Sequence, residues 1–435
     1  MTEQLELPLF EVVSPVSSSL TPEHFGTFST FADNMKLPVH RWFRFSAGFS
    51  AQWVETVITK AKELGDVTVL DPFAGSGTTL LASEKSGVEC YGVEAHPFVS
   101  RVARAKLLYR TDPDTYLEHV RVVQRCAEDL QGCVDNYPTL IRECFSDESL
   151  ECLDRLRQAW ERLADDSPQS QLVWLTLVVI LRHVARVGTA PWQYILPRKS
   201  KKSYLEPMAA FQMMAQNIAT DMRMVGKTAG SQATLIQSDA RTCVGVPDNF
   251  ANLVITSPPY ANNYDYADAT RLEMCFMGEI EDWGDLQSAV RQYLIRSCSQ
   301  HVTQKTVNLN EVLAASELEP IRPSILQICN QLSQERHLHG GKKNYHLMVA
   351  CYFLDMARVW RALRRVCKHP STVCFVIGDS APYGIYVPVI EWIGTLAQSA
   401  GFESFEFKKT RDRNVKWKNR KHKVLLCEGC LWVRG

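Results

Sequence analysis

The chain has 435 residues, 46% hydrophobic and 22% charged, with 48 Lys+Arg against 48 Asp+Glu. That balance excludes a disordered polyelectrolyte and a uniformly basic nucleic-acid coat, so any nucleic-acid partner must be held by a local basic patch. Fourteen cysteines over this length do not suggest a disulfide framework. No apolar run reaches the roughly 18 residues of a membrane span, and no secretory signal is read, so the expected compartment is a reducing bacterial or archaeal cytoplasm.

In chain order, residues 1–34 read as a Ser/Pro-rich, acidic arm. A first core segment, 35–107, holds a helical pattern at 49–64 and strands at 66–73 and 90–95. Residues 108–230 are mostly helical in pattern and too long for a loop, so they are expected to form an insertion. Within them "LVWLTLVVIL" (172–181) reads as a buried helix. The core resumes at 231–267 with strands at 233–240 and 252–259. A second insertion is expected at 268–343, and a last core segment, 344–435, carries a helix at 345–368 and strands at 371–380, 402–409 and 422–433. Early strands alternate with helices, which predicts an α/β, Rossmann-like, mainly parallel sheet covered on both faces. The last two strands follow one another without a helix, which predicts an antiparallel pair at one edge.

Two motifs carry chemistry. In "VTVLDPFAGSGTTLLASEKSGVECYGVEAHP" a strand ends at Asp71, a turn holds Gly75 and Gly77, a helix starts at Thr78, and the next strand ends at Glu94. Glycines at a strand-to-helix turn let backbone approach a ligand, and an acid after the next strand can accept ribose hydroxyls. No Lys follows Gly77, so this is not a nucleotide-triphosphate loop, and the third glycine of a dinucleotide fingerprint is missing. In "NLVITSPPY" a strand is stopped by Pro258 and Pro259, which cannot sit in a central strand. Prolines lack N–H groups, so the turn is rigid and leaves carbonyls facing outward.

Together, "DPFAGSGTT", "GVEAHP" and "SPPY" resemble the S-adenosylmethionine-dependent amino-group DNA methyltransferases. The resemblance implies a class I methyltransferase fold. It implies a cofactor site lined by Asp71, Phe73, Gly75 and Gly77, with Thr78 and Thr79 approaching the cofactor carboxylate and Glu94 on its ribose. Asp239, in "LIQSDA", matches the acid that contacts the adenine amino group. Phe45, Gly48 and Phe49, in "HRWFRFSAGFSAQWV", are similar to the segment closing over the cofactor. Catalysis falls to Ser257 and the Pro258 carbonyl as acceptors for an exocyclic amine, Pro259 as the rigid turn, and Tyr260 as a stacking face for a base flipped from duplex DNA. Ser rather than Asp before the prolines favours cytosine-N4 over adenine-N6. An RNA base methyltransferase is an alternative, as such enzymes carry similar glycine loops. Tyr264, Asp265 and Tyr266 are candidates for the mouth of the base pocket.

The stretch "KKTRDRNVKWKNRKHK" (408–423) contains nine Lys/Arg and one Asp. Lys408, Lys409, Arg411, Arg413, Lys416, Lys418, Arg420 and Lys421 are the expected phosphate contacts, with a solvated hairpin as the alternative. "RKSKK" (198–202) is a second candidate. Either insertion could read the DNA sequence. Cys427 and Cys430 lie three apart on a strand and so face opposite ways, which argues for packing and no metal. A companion restriction or defence protein is expected, since no nuclease-like segment is seen.

Overall fold

Val69 and Leu70 are neighbours in one strand and are buried in two different hydrophobic clusters. The strand therefore lies inside a sheet covered on both sides, and its apolar run has no polar face because neither face meets water. The computed structural model describes residues 31–435, apart from 46–47, 191–193, 226–229, 263, 304, 306 and 414–423. The expected arm at 1–34 thus falls almost wholly outside the described residues.

Nine strands are described: β1 (Thr68–Asp71), β2 (Glu89–Val93), β3 (Val187–Thr189), β4 (Ile195–Ser200), β5 (Thr234–Ile236), β6 (Ala251–Thr256), β7 (Cys367–Gly378), β8 (Ser404–Arg413) and β9 (Leu426–Arg434). Seven form one sheet in the order β5-β2-β1-β6-β7-β9-β8, while β3 and β4 form a separate hairpin. The first five of these strands run parallel. β9 inserts antiparallel between β7 and β8. The expected parallel sheet with an antiparallel edge is what forms, and the chain order reverses between β1 and β6, at whose carboxyl ends an open sheet binds ligands.

The residues between β2 and β5 add helices Pro113–Glu128, Asp147–Leu163, Pro168–Val184 and Pro207–Val225. Their apolar faces join the same cluster as helix Ala51–Lys62 and β1, so this insertion shares the core of the sheet. The 172–181 run is buried along its whole length inside helix Pro168–Val184. The other face is covered by helix Tyr345–Val366, where Trp360 stacks on Phe375 of β7 with centroids 4.5 Å apart. Among the described residues no helix is long and apolar enough to cross a membrane.

One boundary differs from expectation. β8 runs on to Arg413, so the first part of the basic stretch is an edge strand rather than a loop. The extension pairs Arg411, Asp412 and Arg413 with Glu428, Cys427 and Leu426 of β9. Polar residues suit an edge strand with water on one side, which hid the strand from a reading based on apolar content.

Candidate active site

The glycine loop is shaped by backbone geometry. Gly75 and Gly77 have φ of +53° and +88°, the left-handed region open to glycine. A Cβ on Gly75 would stand 3.3 Å from the Phe45 ring, so that residue also has to be small. Gly77 caps helix Thr78–Lys85, leaving the N-terminus of the helix beside a cavity. The cavity holds about 820 Å³ of space, part of it open to solvent.

Its wall brings together most of the residues singled out from sequence. Phe45, Gly48, Phe49, Phe73, Gly75 and Thr78 line it, as do Glu94, Asp239, Ser257 and Pro259. The Glu94 carboxylate accepts from the Gly75 amide at 2.7 Å and the His96 amide at 2.8 Å. Burial pushes this carboxyl up to about 7, against the pull of those amides. Asp239 is bonded by the Arg241 amide and guanidinium at 2.8 Å, so it faces the cavity as one half of an ion pair.

Other expected residues stand behind the wall. Asp71 accepts from Thr256 Oγ1 at 2.6 Å and the Phe73 amide at 3.0 Å, and burial raises its carboxyl to about 6. Thr79 is fully buried and donates to the Ile255 carbonyl at 3.3 Å. Its hydroxyl therefore couples the loop helix to β6 instead of reaching the helix N-terminus, where Thr78 and Ser76 lie. Gly77 and Pro258 likewise do not line the cavity.

Ser257 follows β6 directly. Its hydroxyl donates to the Val376 carbonyl of the neighbouring β7 at 3.1 Å. With the proton engaged there, the oxygen keeps lone pairs with which it can accept. Tyr260 lies beyond the cavity wall, with the Arg413 guanidinium 4.9 Å from its ring centroid. Tyr266 lines the cavity and packs on Tyr264 at 4.4 Å.

Asp265 is an anchor. Arg291 donates to it at 2.7 and 2.9 Å, His301 Nε2 lies 3.4 Å from its other oxygen, and Tyr194 Oη accepts its amide at 2.6 Å. Burial would raise the Asp265 carboxyl, but His301 and Arg291 hold it below the ordinary range. Asp265, Cys298 and His301 bring potential metal-ligand atoms within 4.8 Å of one another. Arg291 already balances the Asp265 carboxylate.

Sequence reasoning missed several contributors. Tyr293, Leu294 and Ile295 of the second insertion close the cavity. Lys106 is fully buried behind the glycine loop, donates to the Ser76 carbonyl at 2.9 Å, and is lowered to about 7 by burial. Asp221 accepts from the Val39 amide, Arg41 Nε and Trp42 Nε1 at 2.9–3.1 Å, tying the segment that carries Phe45 to the first insertion. No local motif marks any of them, because each acts across a long sequence separation.

Of the expected DNA contacts, Lys416, Lys418, Arg420 and Lys421 lie outside the described residues. Lys409 pairs with Asp412 at 2.6 Å and Arg411 with the buried Glu428 at 2.8 Å. Lys408 lies on the edge strand β8. The 198–202 stretch ends β4, with Arg198 to Ser200 and Lys202 exposed. Cys430 packs in the core and Cys427 donates to Asp379 Oδ2 at 3.2 Å.

A glycine loop after β1, an acid after β2, and a cavity at the point where strand order reverses define a Rossmann-like methyltransferase fold. A family model described as DNA methylase (N6_N4_Mtase) matches residues 20–105. The type II methyltransferase M.AvaI of Nostoc sp. is 25% identical over 402 residues, covering 86% of this chain and 81% of the relative. The type II methyltransferase M.BsoBI of Geobacillus stearothermophilus is 23% identical over 429 residues, covering 88% and 82%. The type II methyltransferase M.MjaII of Methanocaldococcus jannaschii is 35% identical over 69 residues, covering 16% and 13%. These comparisons support the resemblance to the amino-group (N4/N6) DNA methyltransferases.

Proposed function

We propose that this protein methylates DNA at specific sites in a restriction–modification setting, with S-adenosylmethionine as donor and the N4 amine of a flipped cytosine as acceptor. The observation that carries the reading is that Ser257 and Pro259 share one cavity wall with Phe73, Gly75 and Glu94. Acceptor chemistry and the residues fitted to the donor thus face one space. The donor's fit rests on the glycine cradle closed by Phe45 and on a carboxylate aimed by two backbone amides.

When bound, S-adenosylmethionine supplies an electrophilic methyl group on a sulfonium. Glu94 would hold the ribose hydroxyls, Phe45 and Phe73 would enclose the ligand, and the helix N-terminus at Thr78 would face its carboxylate. Asp239, held by Arg241, would meet the adenine amine. On the acceptor side, Ser257 Oγ would take a hydrogen bond from the amine, concentrating its lone pair on nitrogen. Transfer would join the methyl group to the amine nitrogen as its bond to sulfur broke, and the amine would give its surplus proton to solvent. Placement accounts for much of the rate, because reacting atoms held in line convert a bimolecular step into a unimolecular one. The base reaches Ser257 only by leaving the duplex stack, and Tyr260 and Tyr266 offer it aromatic faces.

Ser257 carries the preference for cytosine-N4; adenine-N6 is the second reading, supported by the shared family model. The basic stretch from Lys408 would hold phosphates, and a companion nuclease would complete the system. Purified protein incubated with plasmid DNA and tritiated donor tests the reading. Label should enter DNA, and Ser257→Ala should slow transfer about 10- to 100-fold, the scale of one lost hydrogen bond to the reacting group. Label entering RNA alone, or an unaltered rate in Ser257→Ala, would overturn it.

A further inference from the structure

Arg413 lies on β8, opposite Leu426 of β9, within the basic stretch that begins at Lys408. Its guanidinium covers the Tyr260 ring at 4.9 Å, and Nη1 donates to the Asp379 carbonyl at 2.7 Å. The path of this side chain depends on a missing one. A Cβ on Gly378 would stand 2.9 Å from Arg413 Cδ and 3.1 Å from Nη1. The same Cβ would stand 2.8 Å from the Cys427 carbonyl, so the glycine at the end of β7 makes room both for β9 and for the path of Arg413 to Tyr260.

The neighbouring arginine is held differently. Arg411 is bound by the carboxylate of buried Glu428 at 2.9 Å. Among the described residues, the contacts of Arg413 are a neutral carbonyl and an aromatic face. Both are weaker than a charge-assisted pair, so Arg413 is the arginine here that can exchange its partners for a phosphate.

We propose that Arg413 is a placeholder for the flipped base. It covers the Tyr260 face in the DNA-free enzyme, and on duplex binding it leaves that face to the base and turns to a flanking phosphate. The inference rests on the proposed DNA-base reading and names the group that controls access to its acceptor seat. A planar, weakly hydrated guanidinium suits the role because it stacks on a ring as a base does. It must also leave, since a cation beside the acceptor would oppose the positive charge that grows on the attacking amine nitrogen.

The test uses the full chain with Arg413→Gln and Arg413→Lys. Deoxycytidine has the base and no phosphate, and its binding can be titrated by saturation-transfer NMR. Plasmid DNA binding is measured over a salt series. Both variants should bind deoxycytidine about 2- to 5-fold more tightly, the factor of one exposed cation–π contact removed from the seat. For plasmid DNA, Arg413→Gln should lower the log–log salt slope by about one, while Arg413→Lys should keep it. Tightening with deoxyadenosine alone supports the seat and refutes the cytosine assignment. Unchanged, weaker or undetectable nucleoside binding in both variants overturns the proposal, and an unchanged salt slope in Arg413→Gln overturns its phosphate half. Failure of wild-type protein to methylate DNA would be a separate result, against the function and not against the seat.

Discussion

At the glycine-loop end of the cavity, the contacts that shape the site come mainly from residues 71–106. Gly75 meets Glu94, Glu94 meets His96, and Lys106 supports Ser76. At the acceptor end, Asp265 is held by Arg291, His301 and Tyr194, while Tyr260 lies under Arg413. One end is a local strand–turn–helix; the other is assembled from both insertions and the last hairpin. A local unit needs only its own backbone to form, whereas the assembled end forms only when the whole chain is folded. Damage to the first should therefore appear in ligand binding, and damage to the second in global stability.

The largest effect should come from breaking the Asp265 anchor. Arg291→Met leaves a buried carboxylate without its main partner and should cost about 3–5 kcal/mol, read by urea unfolding. A loss below about 1 kcal/mol would mean that the acceptor end is no more assembled than the glycine loop. The anchor also has a pH signature. Burial would lower His301, but Asp265 and Cys298 raise it to about 10 from an ordinary 6.5. A raised histidine stabilises the fold below its unfolded value, and that contribution is lost as pH rises through 6.5 toward 10. The unfolding midpoint should fall over this window, and less so in His301→Gln.

At the other end, Glu94→Gln should weaken S-adenosylmethionine binding by one to two orders of magnitude, since it removes a charge-assisted acceptor worth about 1.5–3 kcal/mol. The sign of its pH dependence is opposite for binding and for stability. The Glu94 carboxyl is raised from 4.5 to about 7, so the folded chain keeps a proton that the unfolded chain has lost. Stability therefore declines as pH rises through that window, while binding improves as the carboxylate forms. Calorimetry on either side of pH 7 should show the improvement in wild type and a flat response in Glu94→Gln.

Gly75→Ala is smaller. It forces a left-handed conformation on a residue with a Cβ, costing about 1–2 kcal/mol, and presses on Phe45. Binding should suffer more than stability, and equal loss would erase the contrast between the two ends. The smallest effect is expected from Lys409→Ala, whose exposed pair with Asp412 adds little to the fold. Its unfolding midpoint should not move, while the salt slope of DNA binding should drop by about one.

The same contrast decides what could be read before folding. Motifs of fixed residue types at short spacings were enough to pick out Gly75, Glu94, Ser257 and Pro259, which share one cavity wall, whereas Gly77, Pro258 and Tyr260 from the same motifs stand off it. The parallel sheet was legible from alternating strands and helices. Thr79 was misread because its spacing fits the helix N-terminus, while its rotamer turns it to β6. Arg291, His301, Lys106 and Asp221 left no trace, because a buried ion pair, or a lysine bonded to the carbonyls of another segment, joins distant parts of the chain and each residue alone resembles a surface charge. Arg413 was visible as a cation but not as a cover for Tyr260, which depends on Gly378 in a different strand.

The activity proposed for this chain is methyl transfer to the N4 amine of cytosine in DNA. Mass spectrometry of nucleosides from the DNA of cells expressing the protein, beside cells expressing Ser257→Ala, tests it most directly. The account predicts N4-methylcytosine in the first sample and its loss in the second. N6-methyladenine in its place, methylation confined to RNA, or no methylated base would contradict it.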